Sequence, residues 1–122
     1  MLDDNLKYTL EIILEHILKC EHRFSKIRVP EDFVSTEEGN IMLDAIATRL
    51  QAIGVNVKNI SKKHPNIIEN HSEIEWNNII RFRDFISHHY DMLDYEIVFQ
   101  ICDVFLPKLQ SIIEFEFNKL ED

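Results

Sequence analysis

Apolar residues recur every three or four positions through most of this chain, the spacing of helices with one buried face. Leu6, Leu10, Ile13, Ile17, Cys20, Phe24 and Ile27 predict a first helix over about residues 3–27. Pro30 and the acidic stretch from Glu31 to Ser35 predict an irregular connector. Thr36, with Glu37 and Glu38 behind it, predicts the next helix start, because a hydroxyl caps free N–H groups and acids suit the positive end of the helix dipole. Leu43, Ile46, Leu50, Ile53, Val57 and Ile60 then form one stripe to about Ser61, the seam of a helix bundle. Gly54 interrupts that stripe at a cost of ~1 kcal/mol relative to alanine, which a closely approaching neighbour helix would offset.

Lys62-Lys63-His64-Pro65-Asn66 predicts a break, with a short extra helix near residues 66–75. Ser72 and Glu75 have the spacing of a capping box for the following helix. That helix takes its apolar positions from Trp76, Ile79, Ile80, Phe82, Phe85 and Ile86, and His88 to Leu93 reads as its end and a turn. Asp94 is placed to cap a last helix carrying Ile97, Ile101, Val104, Phe105, Leu109, Ile112, Ile113 and Phe117, with a kink at Pro107. The prediction is an all-α, up-and-down bundle of four to five helices, in one domain spanning residues 1–122.

Composition supports this and removes several function classes. The chain has 2 glycines and 3 prolines in 122 residues, too few breakers for a many-turned β fold. Apolar residues at 45% and charged residues at 29% suit a globular core. A formal net charge of −9 argues against a general nucleic-acid coat, since long-range attraction to phosphate is missing, but it leaves room for a small local site. Cys20 and Cys102 are too few for a disulfide framework and read as reduced thiols of a cytoplasmic protein. The N-terminus has no basic, then apolar, secretory pattern, and no apolar run reaches the ~20 residues of a membrane span. No cofactor is expected. His16 and Cys20 share a helical face, but two ligands do not make a zinc site.

The chemistry concentrates in Arg83-Asp84-Phe85-Ile86-Ser87-His88-His89-Tyr90. Arginine suits phosphate through its planar, charge-assisted fork. Histidine titrates near neutral pH and can take and give a proton. Together they suit phosphodiester cleavage by the ribose 2′-OH. Asp84 and His88 stand one helical turn apart, where the carboxylate could orient the ring. Arg83 and His88 are five apart, ~140° around a helix, so they cannot meet one ligand from a straight helix. Either the helix unwinds near His88, or two copies of the chain combine their segments across a symmetric interface. By spacing alone the segment reads equally well as a capped helix end with a surface ion pair. Residues 45–68 contain no Asp or Glu, which makes Lys58, Lys62 and Lys63 candidate RNA contacts outside the segment.

The Arg83-x4-His88-x-Tyr90 pattern resembles the motif of HepT-like toxins in the HEPN superfamily of helical ribonucleases. Trp76-Asn77-Asn78-Ile79, Asp94-Tyr95-Glu96-Ile97-Val98, Leu106-Pro107 and Ile53-Gly54 resemble the family's flanking pattern, so the likeness covers essentially the whole chain. Val55-Asn56 departs from it, standing where the family has Glu-Ala. The resemblance implies a homodimer with the motifs facing across a cleft, and a metal-independent endoribonuclease that leaves a 2′,3′-cyclic phosphate. In it His88 would move protons, Arg83 would stabilise the phosphorane and Asp84 would orient His88. It further implies a type VII toxin–antitoxin pair, in which a cognate nucleotidyltransferase antitoxin silences the enzyme by adenylylating Tyr90. The alternative is a non-catalytic, substrate-binding partner of a minimal nucleotidyltransferase.

Overall fold

The first helix, α1 (Leu2–Phe24), turns Leu6, Leu10, Ile13, Ile17 and Cys20 inward, as their spacing requires. It belongs to a computed structural model that describes residues 2–89, 91 and 93–121, excluding the side chains of 2–4 and 87–89. α1 stops three residues short of the predicted end. Ser25 Oγ donates to the His22 carbonyl at 2.6 Å, and Ile27 N–H donates to the Phe24 carbonyl at 2.8 Å in a turn that still buries Ile27.

The connector is ordered rather than irregular. Pro30–Phe33 form a 3-10 turn. The Asp32 carboxylate closes it by accepting from the N–H groups of Arg28 at 2.8 Å and Val29 at 3.3 Å. Fully buried Phe33 plugs the core, its ring 6.4 Å from that of Phe24, which also meets Phe99 edge-on at 5.1 Å. α2 (Glu37–Lys63) starts as predicted, with Thr36 Oγ1 accepting from Gly39 N–H at 2.9 Å. A Cβ on Gly39 would collide with the Asp32 carbonyl, so the turn can lie against α2 only because this residue is glycine.

α2 runs two residues beyond the predicted end and closes with His64 N–H on the Ile60 carbonyl at 2.7 Å. The short extra helix is present as α3 (Pro65–Asn70), with proline in its first turn, where the missing N–H costs nothing. The capping box is absent. Ser72 is exposed and lies in a turn, and α4 (Trp76–His89) begins four residues later. Side chains hold this segment instead of a cap. Trp76 Nε1 donates to the His71 carbonyl at 2.8 Å, and His71 Nε2 lies 2.7 Å from Oε2 of Glu116, which is 6% exposed.

Asp94 caps α5 (Tyr95–Gln100), accepting from the N–H groups of Glu96 at 2.9 Å and Ile97 at 3.4 Å. The chain passes through a π-helical turn, Ile101–Phe105, into α6 (Leu106–Glu121) without a break. Leu106 N–H bonds the Ile101 carbonyl five residues back. Pro107 supplies no N–H and its ring crowds the preceding turn, so the widened turn is how the helix accommodates it.

α1 packs on α2 and α6, and α2 on α1 and α4, which makes α2 central. Contacts of Cys20 with Ile46 and of His16 with Arg49 run antiparallel, as do those of Lys7 with Glu121 and of Glu21 with Gln110. No strand occurs among the described residues, so the all-α bundle is present. None of its helices is long and apolar enough to cross a membrane.

His16 ties α1 to α2 in its neutral form. Its Nδ1 lies 3.0 Å from Arg49 Nη1, and burial, then the Arg49 charge, lowers its pKa below 6.5. In the folded chain the proton is therefore disfavoured, so this contribution is complete above pH 6.5 and is lost as pH falls through the lowered folded value. Denaturant unfolding measured between about pH 7.5 and 5 should show a smaller loss of stability on acidification for His16→Gln than for the parent.

Candidate active site on helix α4

Helix α4 presents three different surfaces because its apolar residues cover only one side. Trp76, Ile79, Phe82 and Ile86 are buried. Arg83 and Asp84 lie at the margin of that face, with side chains 33% and 47% exposed, and Arg83 Nη1 donates to Asp84 Oδ1 at 2.8 Å. Phe85, expected in the core, is 42% exposed.

Gly54 of α2 fixes where Arg83 stands. A Cβ at position 54 would lie 2.5 Å from Arg83 Cβ and 2.9 Å from the Ile79 carbonyl oxygen. The close helix approach expected from a glycine in mid-helix is therefore real, and its partner is the motif arginine. The stem of Arg83 rests on α2 backbone while its guanidinium reaches the margin beside Asp84.

The helix does not unwind before His88, since α4 continues through His89. Asp84 and His88 thus keep their one-turn spacing along the backbone, and Arg83 and His88 keep their ~140° separation. The structure brings Arg83 and Asp84 together. The side chain of His88 and the whole of Tyr90 lie outside the described residues.

The lysines are placed differently. Lys58 is half-buried one turn beyond Gly54. Lys62 and Lys63 are exposed at the end of α2, ~12 Å or more along the axis from Gly54. Lys63 lines a hollow with Asn5 and Thr9 of α1, so the structure does not bring it to the motif. At the departure from the family pattern, Val55 is 36% exposed and Asn56 Nδ2 bonds back to the Ala52 carbonyl at 2.9 Å.

The His16 and Cys20 pair offers no metal centre. His16 faces Arg49, and Cys20 Sγ points at the Ile46 carbonyl at 3.9 Å. Burial pushes the Cys20 thiol up to about 12, far from the thiolate a metal needs. No group of three metal-ligating side chains occurs among the described residues.

Periodicity missed the groove between α4 and the α5–π segment, lined by Asn78, Arg81, Phe85, Ile97 and Gln100 among others. Phe85, Ile97 and Val104 all fit an inward stripe, yet they are 42%, 49% and 48% exposed. The bundle stays open there.

Comparison with known proteins identifies the family of the chain. The family described as "Ribonuclease HepT-like" matches residues 13–115, which include α4 and the Gly54 crossing. The chain belongs to the HepT-like ribonuclease family. It is 31% identical over 104 residues to "Putative RNase TTE0752" of Caldanaerobacter subterraneus subsp. tengcongensis, covering 83% of this chain and 88% of that protein. It is 23% identical over 111 residues to "Gamma-glutamylcyclotransferase and putative RNase MJ0434" of Methanocaldococcus jannaschii, covering 88% of this chain and 47% of that longer protein. No solved structure matches it.

The glycine contact gives a direct test. Alanine at 54 gains ~1 kcal/mol of helix propensity, while overpacking against a Cβ and a carbonyl costs about 1–3 kcal/mol. Gly54→Ala should therefore change unfolding free energy by no more than ~2 kcal/mol. On the expectation that Arg83 acts on the substrate, it should also lower RNA cleavage at least ~10-fold, because a ~1 Å misplacement at a reaction centre is that costly. Denaturant unfolding and single-turnover cleavage together check this.

Proposed function

We propose that this HepT-like chain is the toxin of a type VII toxin–antitoxin pair, a metal-independent endoribonuclease active as a homodimer. One observation carries the reading: α4 stays helical through His89, so the backbone positions of Arg83 and His88 stand ~140° apart around one helix. A two-fold arrangement of two α4 helices satisfies the geometry, with Arg83 of one copy and His88 of the other flanking one phosphate.

The chemistry follows from the groups. His88 takes the proton of a ribose 2′-OH, whose oxygen attacks the adjacent phosphorus. Arg83 carries the charge that develops on the phosphorane oxygens. The P–O5′ bond breaks, an imidazolium returns a proton to the leaving 5′ oxygen, and a 2′,3′-cyclic phosphate remains. Asp84 holds the Arg83 fork on one side and stands one turn from His88 on the other, a position from which it can orient both. Lys58 is the lysine nearest the Gly54 crossing along α2, and it is the one we assign to RNA. The helices from α1 to α6 share a single core, which supports reading residues 1–122 as one domain.

Complementation between inactive variants tests the shared site. Arg83→Ala and His88→Ala should each abolish cleavage while remaining folded. Mixed in equal amounts and allowed to exchange subunits, they should recover about a quarter of parental activity, because half the dimers then hold one intact site of two. No recovery despite exchange would mean that each site is built within one chain.

Control by the antitoxin is assigned to Tyr90. Adenylylation would add a bulky anion seven residues from Arg83, where it competes for the guanidinium with substrate phosphate. Intact mass after incubation with the cognate nucleotidyltransferase and ATP should rise by whole AMP units in the parent but not in Tyr90→Phe. A stable complex with the nucleotidyltransferase, with no cleavage of any RNA by the dimer, would instead mark the chain as a substrate-binding partner.

A further inference from the structure

The groove between α4 and the α5–π segment is the largest feature of the motif helix that the proposed chemistry leaves unused. It encloses ≈ 460 Å³, within the range of small-molecule sites. Its floor is apolar, from Phe82, Ile86 and Ile101. Phe85 and Ile97 form half-exposed walls, and the amides of Asn78 and Gln100 stand at its edge.

Its position relative to the motif is set by helix geometry. Phe85 precedes His88 by three residues, one turn along α4 and ~60° around it. Arg81 precedes His88 by seven, which places it on nearly the same line and ~10 Å back. The composite-site geometry uses the α4 arc between the Arg83 and His88 positions, and the groove positions Phe85, Asn78 and Phe82 lie on the other side of the His88 position.

Charge separates the candidate occupants. Among the described residues, two charged ones line the groove, Arg81 and Asp94. The Asp94 carboxylate accepts from two backbone N–H groups at the start of α5, which offsets its charge. Arg81 is exposed and holds the Asn78 amide oxygen at 2.6 Å, so the available field at the rim is positive. An aromatic face, an apolar opposite wall, amide edges and one guanidinium are the groups that bind a nucleobase with its phosphate.

We propose that this groove is a nucleobase subsite for an RNA nucleotide beyond the two that the scissile linkage joins, with the base against Phe85 and its phosphate at Arg81. The inference rests on the ribonuclease reading for its substrate, and its test separates the two. Phe85→Trp provides a reporter at the wall of the groove, against the constant signal of buried Trp76. Titration with a 2′-deoxy oligonucleotide, which lacks the attacking hydroxyl and cannot be cleaved, should quench its emission in a saturable way. No quenching would overturn the subsite. Phe85→Ala should lose kcat/KM on a hexanucleotide about ten-fold more than on a dinucleotide that spans only the scissile linkage, the size of one stacking contact. Equal losses on both substrates would overturn the subsite by assigning Phe85 to the reaction centre or the fold. Dissociation of Phe85→Ala into monomers would overturn it by marking the groove as a protein interface. Quenching by the deoxy strand in a protein whose parent cleaves no RNA would keep the subsite and remove the enzyme reading. Cleavage without quenching would do the reverse.

Discussion

Between Cα of Gly54 and Cβ of Arg83 there is no room for another methyl group, and that contact sets the separation of α2 and α4. α2 is the helix around which the bundle is built, buried from Leu43 to Ile60 along one stripe and in contact with α1 and α4. Pinning Arg83 to it gives a long, flexible side chain a fixed base. With Cβ and Cγ set against α2 and Nη1 bonded to Asp84, the side chain has few rotamers left to lose. Glycine at this crossing costs the helix ~1 kcal/mol relative to alanine. Gly39 plays a comparable part at the other end of α2, where the 3-10 turn lies directly on the helix. Both glycines of the chain thus serve close contact rather than turns.

The long stripes were legible because each buried face meets one neighbour or two adjacent ones. Leu6 to Cys20 and Leu43 to Ile60 are buried throughout, as three- and four-residue steps require. Thr36 and Asp94 were legible as caps because capping depends on a few consecutive residues. Ser72 has the same local pattern and does not cap, since His71 is drawn to Glu116 and Trp76 reaches back to the His71 carbonyl. Those partners lie 45 and 5 residues away from His71, and the first is invisible to a local pattern. Phe85, Ile97 and Val104 were misplaced for a related reason. Periodicity says which residues share a face, not whether another helix covers it, and here α4 packs on α2 and leaves its far flank uncovered.

At the motif, residue types and spacing were legible, and so was the geometric conflict between Arg83 and His88. What the sequence left open was whether the helix unwinds near His88 or two copies combine. The extension of α4 through His89 keeps the backbone positions of Arg83 and His88 ~140° apart. The partner of Gly54 was equally hidden, since a mid-helix glycine announces a close approach without naming what approaches. The Arg83–Asp84 ion pair could not be read either, because adjacent residues on an ideal helix diverge by ~100° and meet only when a long side chain folds over.

The acidity of the chain bears on how such a protein could hold RNA. Several carboxylates are already engaged inside the fold. Asp32 and Asp94 accept backbone N–H groups, Asp84 meets Arg83, and Glu116 meets His71. Their fields are partly cancelled at close range, and salt screens the remaining surface charge over ~8–10 Å. Counterion release along an extended basic track, the usual source of nucleic-acid affinity, is therefore unavailable to a chain of net charge −9. Affinity has to come from short-range contacts in a few places. A guanidinium and an imidazole from paired α4 helices flanking one phosphate, with an aromatic wall beside each motif, would supply such contacts. In that arrangement substrate binding depends on the dimer as strictly as proton transfer does.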